Sequence, residues 1–357
     1  MKETHGGNIW EAAAQTATPP EKILDFSASI NPLTSAKVLS AIKDGIRHIH
    51  AYPDPASKAL RATLAAFHGI DADQTLAGNG STEFIHLLPQ VFKPTRALII
   101  APAFSEYAIG LEKTGCAPAY LTLREDEGFT LNLPRLDAAL KKGPKTDIVY
   151  LANPANPTGV LTAKDAVYEA IRICKRRNAL MVVDEAFMDF IESESVKHEA
   201  IRSRHVIVLR SMTKFWAMAG LRAGYIVCNK TLVKKVAAHL PPWSINTLAS
   251  LAARAALTDD GHRAATFAWL GREQRFLHAG LAGIQGLAPL PSSANFFMVR
   301  ITAPPATASS LRRALYKDGL LIRDLSAMAG AGKKFFRVAV RTSDENKALL
   351  AALRKAF

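Results

Sequence analysis

Val182-Val183-Asp184-Glu185-Ala186-Phe187 carries an apolar run into two carboxylates, and Ser211-Met212-Thr213-Lys214 ends a second such run in a lysine. Charges at the ends of buried strands are costly unless something there takes them up. Strand-length apolar runs flank both stretches: Ala97–Ala101, Ala119–Leu123, Asp147–Ala152, Leu180–Val183, Val206–Arg210 and Gly224–Cys228. Helical patterns alternate with them, as over Thr82–Val91, Ala163–Arg177 and Leu232–His239. Wholly apolar strands alternating with helices predict an α/β fold, with a parallel or mixed sheet covered on both faces. Functional groups in such sheets gather at the carboxyl ends of the strands, where Asp184 and Lys214 fall.

Beyond this core the sequence predicts one long helical stretch, Thr247–Leu281, and then a smaller αβ segment. That segment comprises strand Ala294–Ile301, helix Thr307–Asp318, strand Phe335–Val340 and helix Ser343–Lys355. The loop-rich beginning is expected to pack with it. The expected organisation is an N-terminal segment over 1–45, a large domain over 46–250, a linking helix over 251–285 and a small α+β domain over 286–357, with the site in the cleft between the domains.

The chain has 357 residues, 49% of them hydrophobic, enough for a substantial core. No apolar run approaches the ~18 residues of a membrane span. The opening MKETHGGNIWEAAAQ has no apolar leader, so no secretory signal is expected. Three separate cysteines, Cys116, Cys174 and Cys228, with no CxxC spacing, point to reduced thiols in the cytoplasm and to no metal site. The formal charge of +14 is scattered and not interleaved with aromatics. It fits a field that attracts anionic metabolites better than nucleic-acid binding.

Gly78-Asn79-Gly80-Ser81-Thr82-Glu83 places small residues before a helix start, a pattern that exposes backbone N–H groups to a phosphate. It is not a dinucleotide fingerprint, because Glu83 stands where the last glycine would, and by itself it reads more readily as a capped helix with a turn. Asn153-Pro154-Ala155-Asn156-Pro157-Thr158-Gly159 holds amides rigidly at a strand end, because a residue before proline is kept out of the helical region. Ser211-x-x-Lys214 resembles the SxxK of penicillin-interacting serine enzymes, but Lys113-Thr114-Gly115 lies on the wrong side of it and no SDN intervenes. The other reading makes Lys214 an amine nucleophile toward an aldehyde cofactor, pyridoxal phosphate, with Asp184 keeping the pyridine nitrogen protonated and Arg222 pairing with the phosphate.

In their order, GNGSTE, PAFSEY, NPANPTG, VVDEAF, SMTKFWAMAGLRAGY and FFRVAVRT resemble fold-type I pyridoxal-phosphate enzymes of the aminotransferase class I/II superfamily, over essentially the whole chain. Within it the chain resembles the histidinol-phosphate aminotransferase branch. HGGNIWEAA and ILDFSASINPL are similar to the start of the L-threonine-O-3-phosphate decarboxylases of cobalamin biosynthesis. The resemblance implies a large domain with a mixed, mainly parallel seven-stranded sheet and a small α+β domain from both termini. It implies pyridoxal 5'-phosphate held covalently by Lys214, with Asp184 at its ring nitrogen, Phe104 stacked on its ring and Asn156 at its phenolic oxygen. Gly80, Ser81, Thr82, Ser211 and Arg222 would lie about its phosphate. Tyr52 resembles the tyrosine that reaches the neighbouring subunit's cofactor, which implies a homodimer. One departure stands out: Phe187 occupies a position where many aminotransferases carry a tyrosine bonded to the phenolic oxygen.

For an anionic phosphorylated substrate the resemblance points to Arg323 and Arg337, with Asn156 alongside. Arg341 is extra relative to the aminotransferase pattern. The two-residue spacing from Arg337 lets both face one side of a strand, although a salt bridge to a helix-starting acid such as Asp344 would also explain it. His5, Gly7, Asn8 and Asn31 offer further donors near the cleft mouth. Two reactions stay open, decarboxylation of threonine phosphate and transamination of histidinol phosphate with 2-oxoglutarate. A non-catalytic scaffold is opposed by the intact Lys214, Asp184 and Arg222.

Overall fold

A computed structural model describes residues 5–357. Met1–Thr4, the start of the stretch expected to carry no leader, lie outside the described residues. The strands in chain order are β1 (Leu24–Asp25), β2 (Thr75–Gly78), β3 (Ala97–Ala101), β4 (Pro118–Thr122), β5 (Ile148–Ala152), β6 (Leu180–Asp184), β7 (Val206–Ser211) and β8 (Gly224–Val227), then β9 (Leu287–Pro289), β10 (Phe296–Ile301), β11 (Leu320–Leu321), β12 (Arg323–Asp324) and β13 (Phe335–Ala339).

The large sheet has seven strands in the order β2-β8-β7-β6-β5-β3-β4. Every residue of β3, β5, β6 and β7 is buried. That explains why these runs are apolar throughout rather than alternating. The helix Lys164–Arg176 shows the covering rule: Val167, Ala170, Ile171 and Cys174 are buried at the i, i+3, i+4, i+7 spacing. All neighbours run parallel except around β8, which is antiparallel to both β7 and β2. The carboxyl ends of β2, β3, β5, β6 and β7 therefore share one edge, and the amino end of β8 joins them there. The registers align Ala152 with Asp184 and Ser211 with Gly224.

A four-stranded antiparallel sheet, β12-β13-β10-β9, forms the small layer beside that edge. The N-terminal segment is zipped to it. β1 pairs with β11 in parallel, and Ala339 N donates to Phe26 O at 2.8 Å. The expected single helix over Thr247–Leu281 is two helices, Thr247–Leu257 and Asp260–Ala282. Asp259 breaks it by capping the second: its Oδ1 accepts His262 N at 3.1 Å while its Oδ2 takes Ser35 Oγ at 2.5 Å. The three cysteines are free and buried. Among the described residues no helix is long and apolar enough to cross a membrane, and no group of His, Cys, Asp and Glu side chains could hold a metal.

Candidate active site

The strand ends and the small layer enclose a cleft of about 230 Å³ lined by Ser81, Thr82, Phe104, Asn156, Asp184, Phe187, Ser211, Lys214, Arg222, Arg323, Arg337 and His5. Its outer part opens into a vestibule of about 600 Å³ that His5, Phe104 and Arg323 also line. Topology explains the assembly. β6 ends in Asp184, β7 leads into Lys214, and β8, running the other way, is preceded by Arg222. Gly80 is needed where it stands: its φ is +81°, and a Cβ there would lie 2.7 Å from Arg222 Nη2. A Cβ at Gly224 would lie 2.2 Å from Ser81 N, so two glycines bring the turn and the guanidinium together.

Asp184 is buried. Its Oδ2 accepts Tyr107 Oη–H at 2.6 Å and its Oδ1 accepts Ala186 N–H at 3.0 Å. Burial pushes its pKa up, and the bond from Tyr107 and the charge of Lys214 pull it back toward the ionised form. Lys214 sits 5.9 Å from the centre of the Phe187 ring. Loss of water, followed by repulsion from Arg337 and Arg222, pushes its amine down to about 8, with Asp25 and Asp184 opposing. Phe187 packs edge-on against Phe296, with ring centres 4.9 Å apart.

Arg337 is buried and held on two sides: one nitrogen donates to Asn156 Oδ1, and Nη2 donates to Ser27 O at 2.6 Å. Its Nε has no hydrogen-bond partner among the described residues. Burial and then the nearby Arg323 push its pKa down to about 9, against Asp25.

The paired carboxylates of the opening motif part company. Glu185 points away from the cleft into a buried cluster, where Arg210 Nη1 reaches its Oε2 at 3.1 Å and Val196 N donates to its Oε1 at 2.8 Å. Of the two, Asp184 lines the cleft, because consecutive residues leave a strand end on opposite sides.

Four residues expected to bind substrate lie elsewhere. Arg341 lies two residues beyond the end of β13, so strand alternation no longer governs it. Its guanidinium grips Glu345, with Nε at 2.9 Å and Nη2 at 2.7 Å. The acid is Glu345, in the capping box of the last helix, rather than Asp344. Asn31 is buried, and its amide is spent on Phe215 O and Thr266 Oγ1, both at 2.8 Å. Asn8 caps the helix Ile9–Thr16, accepting Glu11 N at 3.2 Å. Gly7, with φ +90°, donates its N–H to Ser27 Oγ at 2.8 Å. Gly6 makes the close backbone approach instead: a Cβ there would be 2.4 Å from Ser27 O. Tyr52 is also outside the cleft, 80% exposed and stacked on Trp243 with ring centres 4.6 Å apart.

Sequence reasoning missed Tyr107, Asp25 and Ser27, although PAFSEY and ILDFSASINPL contain them. Ser27 Oγ donates to Asp25 Oδ1 at 2.5 Å, and this pair backs both Arg337 and Lys214. Buried polar residues inside otherwise apolar motifs were the available signal.

A doubly covered, mainly parallel seven-stranded sheet with a lysine, an aspartate and an arginine at its carboxyl edge defines the fold-type I class of α/β enzymes. The chain belongs to the aminotransferase class I and II family, whose model matches residues 21–353. It is 38% identical to the threonine-phosphate decarboxylase of Salmonella typhimurium over 99% of this chain and 96% of that protein. It is 31% identical to a histidinol-phosphate aminotransferase of Caldanaerobacter subterraneus over 89% of this chain and 88% of the other. The crystal structure of the histidinol-phosphate aminotransferase from Clostridium acetobutylicum superposes with a TM-score of 0.85 at 28% identity, covering 93% of this chain and 98% of that one.

Proposed function

We propose that the chain decarboxylates L-threonine O-3-phosphate to (R)-1-amino-2-propanol O-2-phosphate and carbon dioxide, with pyridoxal 5'-phosphate as cofactor, to make the aminopropanol linker precursor of cobalamin. Arg337 carries this assignment. A buried guanidinium with an unsatisfied Nε, beside a second arginine and a partly neutral lysine, calls for a strongly anionic ligand. Among such ligands, the 38% identity to a threonine-phosphate decarboxylase over nearly the full chain favours threonine phosphate.

The residues fit the cofactor. The Gly80–Arg222 cradle at the start of the helix Ser81–Phe92 suits its phosphate, together with Ser81, Thr82 and Ser211. Lys214 would hold its aldehyde carbon, Asp184 its ring nitrogen, Phe104 its ring face and Asn156 its phenolic oxygen. When bound, it supplies an electron sink for the pair released at Cα. Tyr107 keeps Asp184 oriented, and its hydrogen bond favours the ionised carboxylate against the effect of burial. Arg337, Arg323 and His5 bind the substrate's anionic groups, and the two arginines set which Cα bond is presented for cleavage. The carboxylate leaves as carbon dioxide, and the pair left on Cα takes up a proton. Lys214 Nζ, free once the substrate's own amine has taken its place, is the group suited to deliver it.

The active form is a homodimer. Tyr52, Trp243 and Ile49 line an exposed apolar surface that a second copy covers, bringing Tyr52 to the partner's cofactor phosphate. Incubation of the purified, cofactor-loaded protein with threonine phosphate, and separately with histidinol phosphate plus 2-oxoglutarate, tests the assignment. Carbon dioxide from the first is expected. Glutamate from the second with no gas from the first would make the chain an aminotransferase.

A further inference from the structure

Glu106 plays no part in the chemistry assigned so far, yet it is buried at the cleft wall and both its oxygens are engaged by imidazoles. Its Oε1 lies 2.8 Å from His5 Nε2, and its Oε2 lies 2.6 Å from His86 Nε2. A carboxylate only accepts, so each nitrogen donates to it. His86 is fixed on the helix Ser81–Phe92, the same helix whose start cradles Arg222. Its Nδ1 is buried with no partner among the described residues. A lone pair left unpaired there costs less than an unpaired N–H, so the Nε2–H form is the one this arrangement favours. His86 thereby anchors Oε2 of Glu106 and leaves Oε1 to His5.

His5 is the more exposed of the two imidazoles. Its side chain is 45% exposed, and its segment bears glycines at 6 and 7. Its ring lies 5.7 Å from the Phe104 ring, on the boundary between cleft and vestibule. With Nε2 committed to Glu106, Nδ1 is the nitrogen left to face a ligand.

We propose that Glu106, braced by His86, is a positioning residue that holds the His5 ring at the cleft mouth, with Nε2–H donated to Glu106 and Nδ1–H presented to the phosphate of the substrate. This rests on the phosphorylated-substrate assignment above. Without the carboxylate, an imidazole on a glycine-flanked segment samples many orientations, and a charge-assisted bond to phosphate is made only part of the time. The loss falls on substrate binding and leaves the steps at Cα largely untouched.

The test uses cofactor-loaded protein carrying Glu106→Gln, His5→Gln, both together, or His86→Phe. Two quantities are measured: KM and kcat for threonine phosphate, and the affinity for inorganic phosphate by calorimetry. Glu106→Gln is expected to raise KM and weaken phosphate binding by about tenfold to a hundredfold, the size of one charge-assisted bond, with kcat changed far less and the visible absorbance of the bound cofactor unaltered. The double variant should be no worse than His5→Gln alone, because Glu106 acts through His5. His86→Phe should shift the same quantities in the same direction by less. Unchanged phosphate affinity in Glu106→Gln, a loss confined to kcat, or additive losses in the double variant would overturn the proposal. Should threonine phosphate not be turned over at all while phosphate affinity still falls with Glu106→Gln and His5→Gln, the assigned reaction fails and the positioning role stands.

Discussion

Replacing Lys214 by methionine in the cofactor-free protein removes a charge that the fold holds at a cost. The amine is displaced from its ordinary 10.5 to about 8 by loss of water and by Arg337 and Arg222. Between those two pH values the unfolded chain carries a proton on this lysine that the folded chain has released. Stability therefore rises with pH across that window, and the gain is absent below pH 8. A displacement from 10.5 to about 8 corresponds to about 3 kcal/mol. Methionine has a similar length and no charge, so Lys214→Met is expected to be more stable than the parent by up to that amount at pH 7. The advantage should shrink through pH 8 to 10.5 as the parent's lysine loses its proton. Urea denaturation of both proteins at several pH values measures the difference, and other titrating groups cancel between them. A difference that does not change with pH would refute the displaced amine. The same displacement raises the neutral fraction at pH 7 to about 10%, several hundredfold above that of an unperturbed lysine, so the destabilising placement is also what makes the amine reactive.

Arg210→Met should cost about 3–5 kcal/mol in urea denaturation, because Glu185 and Asp189 would remain buried without their cation; a loss below about 1 kcal/mol would show the cluster to be hydrated. Arg341→Met should lower stability by about 1 kcal/mol through the lost grip on Glu345 and change KM for threonine phosphate by less than about twofold. A KM increase of tenfold or more would return Arg341 to the substrate. Tyr52→Ala should weaken self-association by about 2 kcal/mol, seen as a shift to the monomer in sedimentation velocity. A parent protein that is itself monomeric at micromolar concentration would refute the dimer.

The sheet was legible because its signal is local. A run such as Val206–Arg210, apolar at every position, has few alternatives to a strand covered on both faces, and the residues that punctuate those runs mark their functional ends. Lys214, Asp184 and Arg222 could be placed at one edge for that reason, whereas Phe104, Arg323 and Arg337 were pointed to by the family resemblance, and all six line one cleft. The break at Asp259 was harder to read, since a capping aspartate inside a helical pattern also reads as a solvated residue. Asn31, Asn8 and Arg341 were misread for one shared reason: each is a polar residue in a functional-looking motif whose side chain was claimed by a nearer partner.

The sequence by itself determined the longer strands of both sheets, though not β1, the edge strand β2, β9, β11 or β12, and it showed that their polar punctuation lies along one edge and which covalent chemistry that edge is equipped for, since strand formation and residue type depend on local pattern. Tertiary structure alone decided which polar groups face one another. The antiparallel turn of β8 brings Arg222 onto Gly80, the pairing of β1 with β11 sets Asp25 and Ser27 behind Arg337, and the placement of Glu106 lets it link His5 to His86. Those contacts join residues far apart in the chain, and a hydrogen bond or an ion pair depends on distances of a few ångströms that no local pattern encodes.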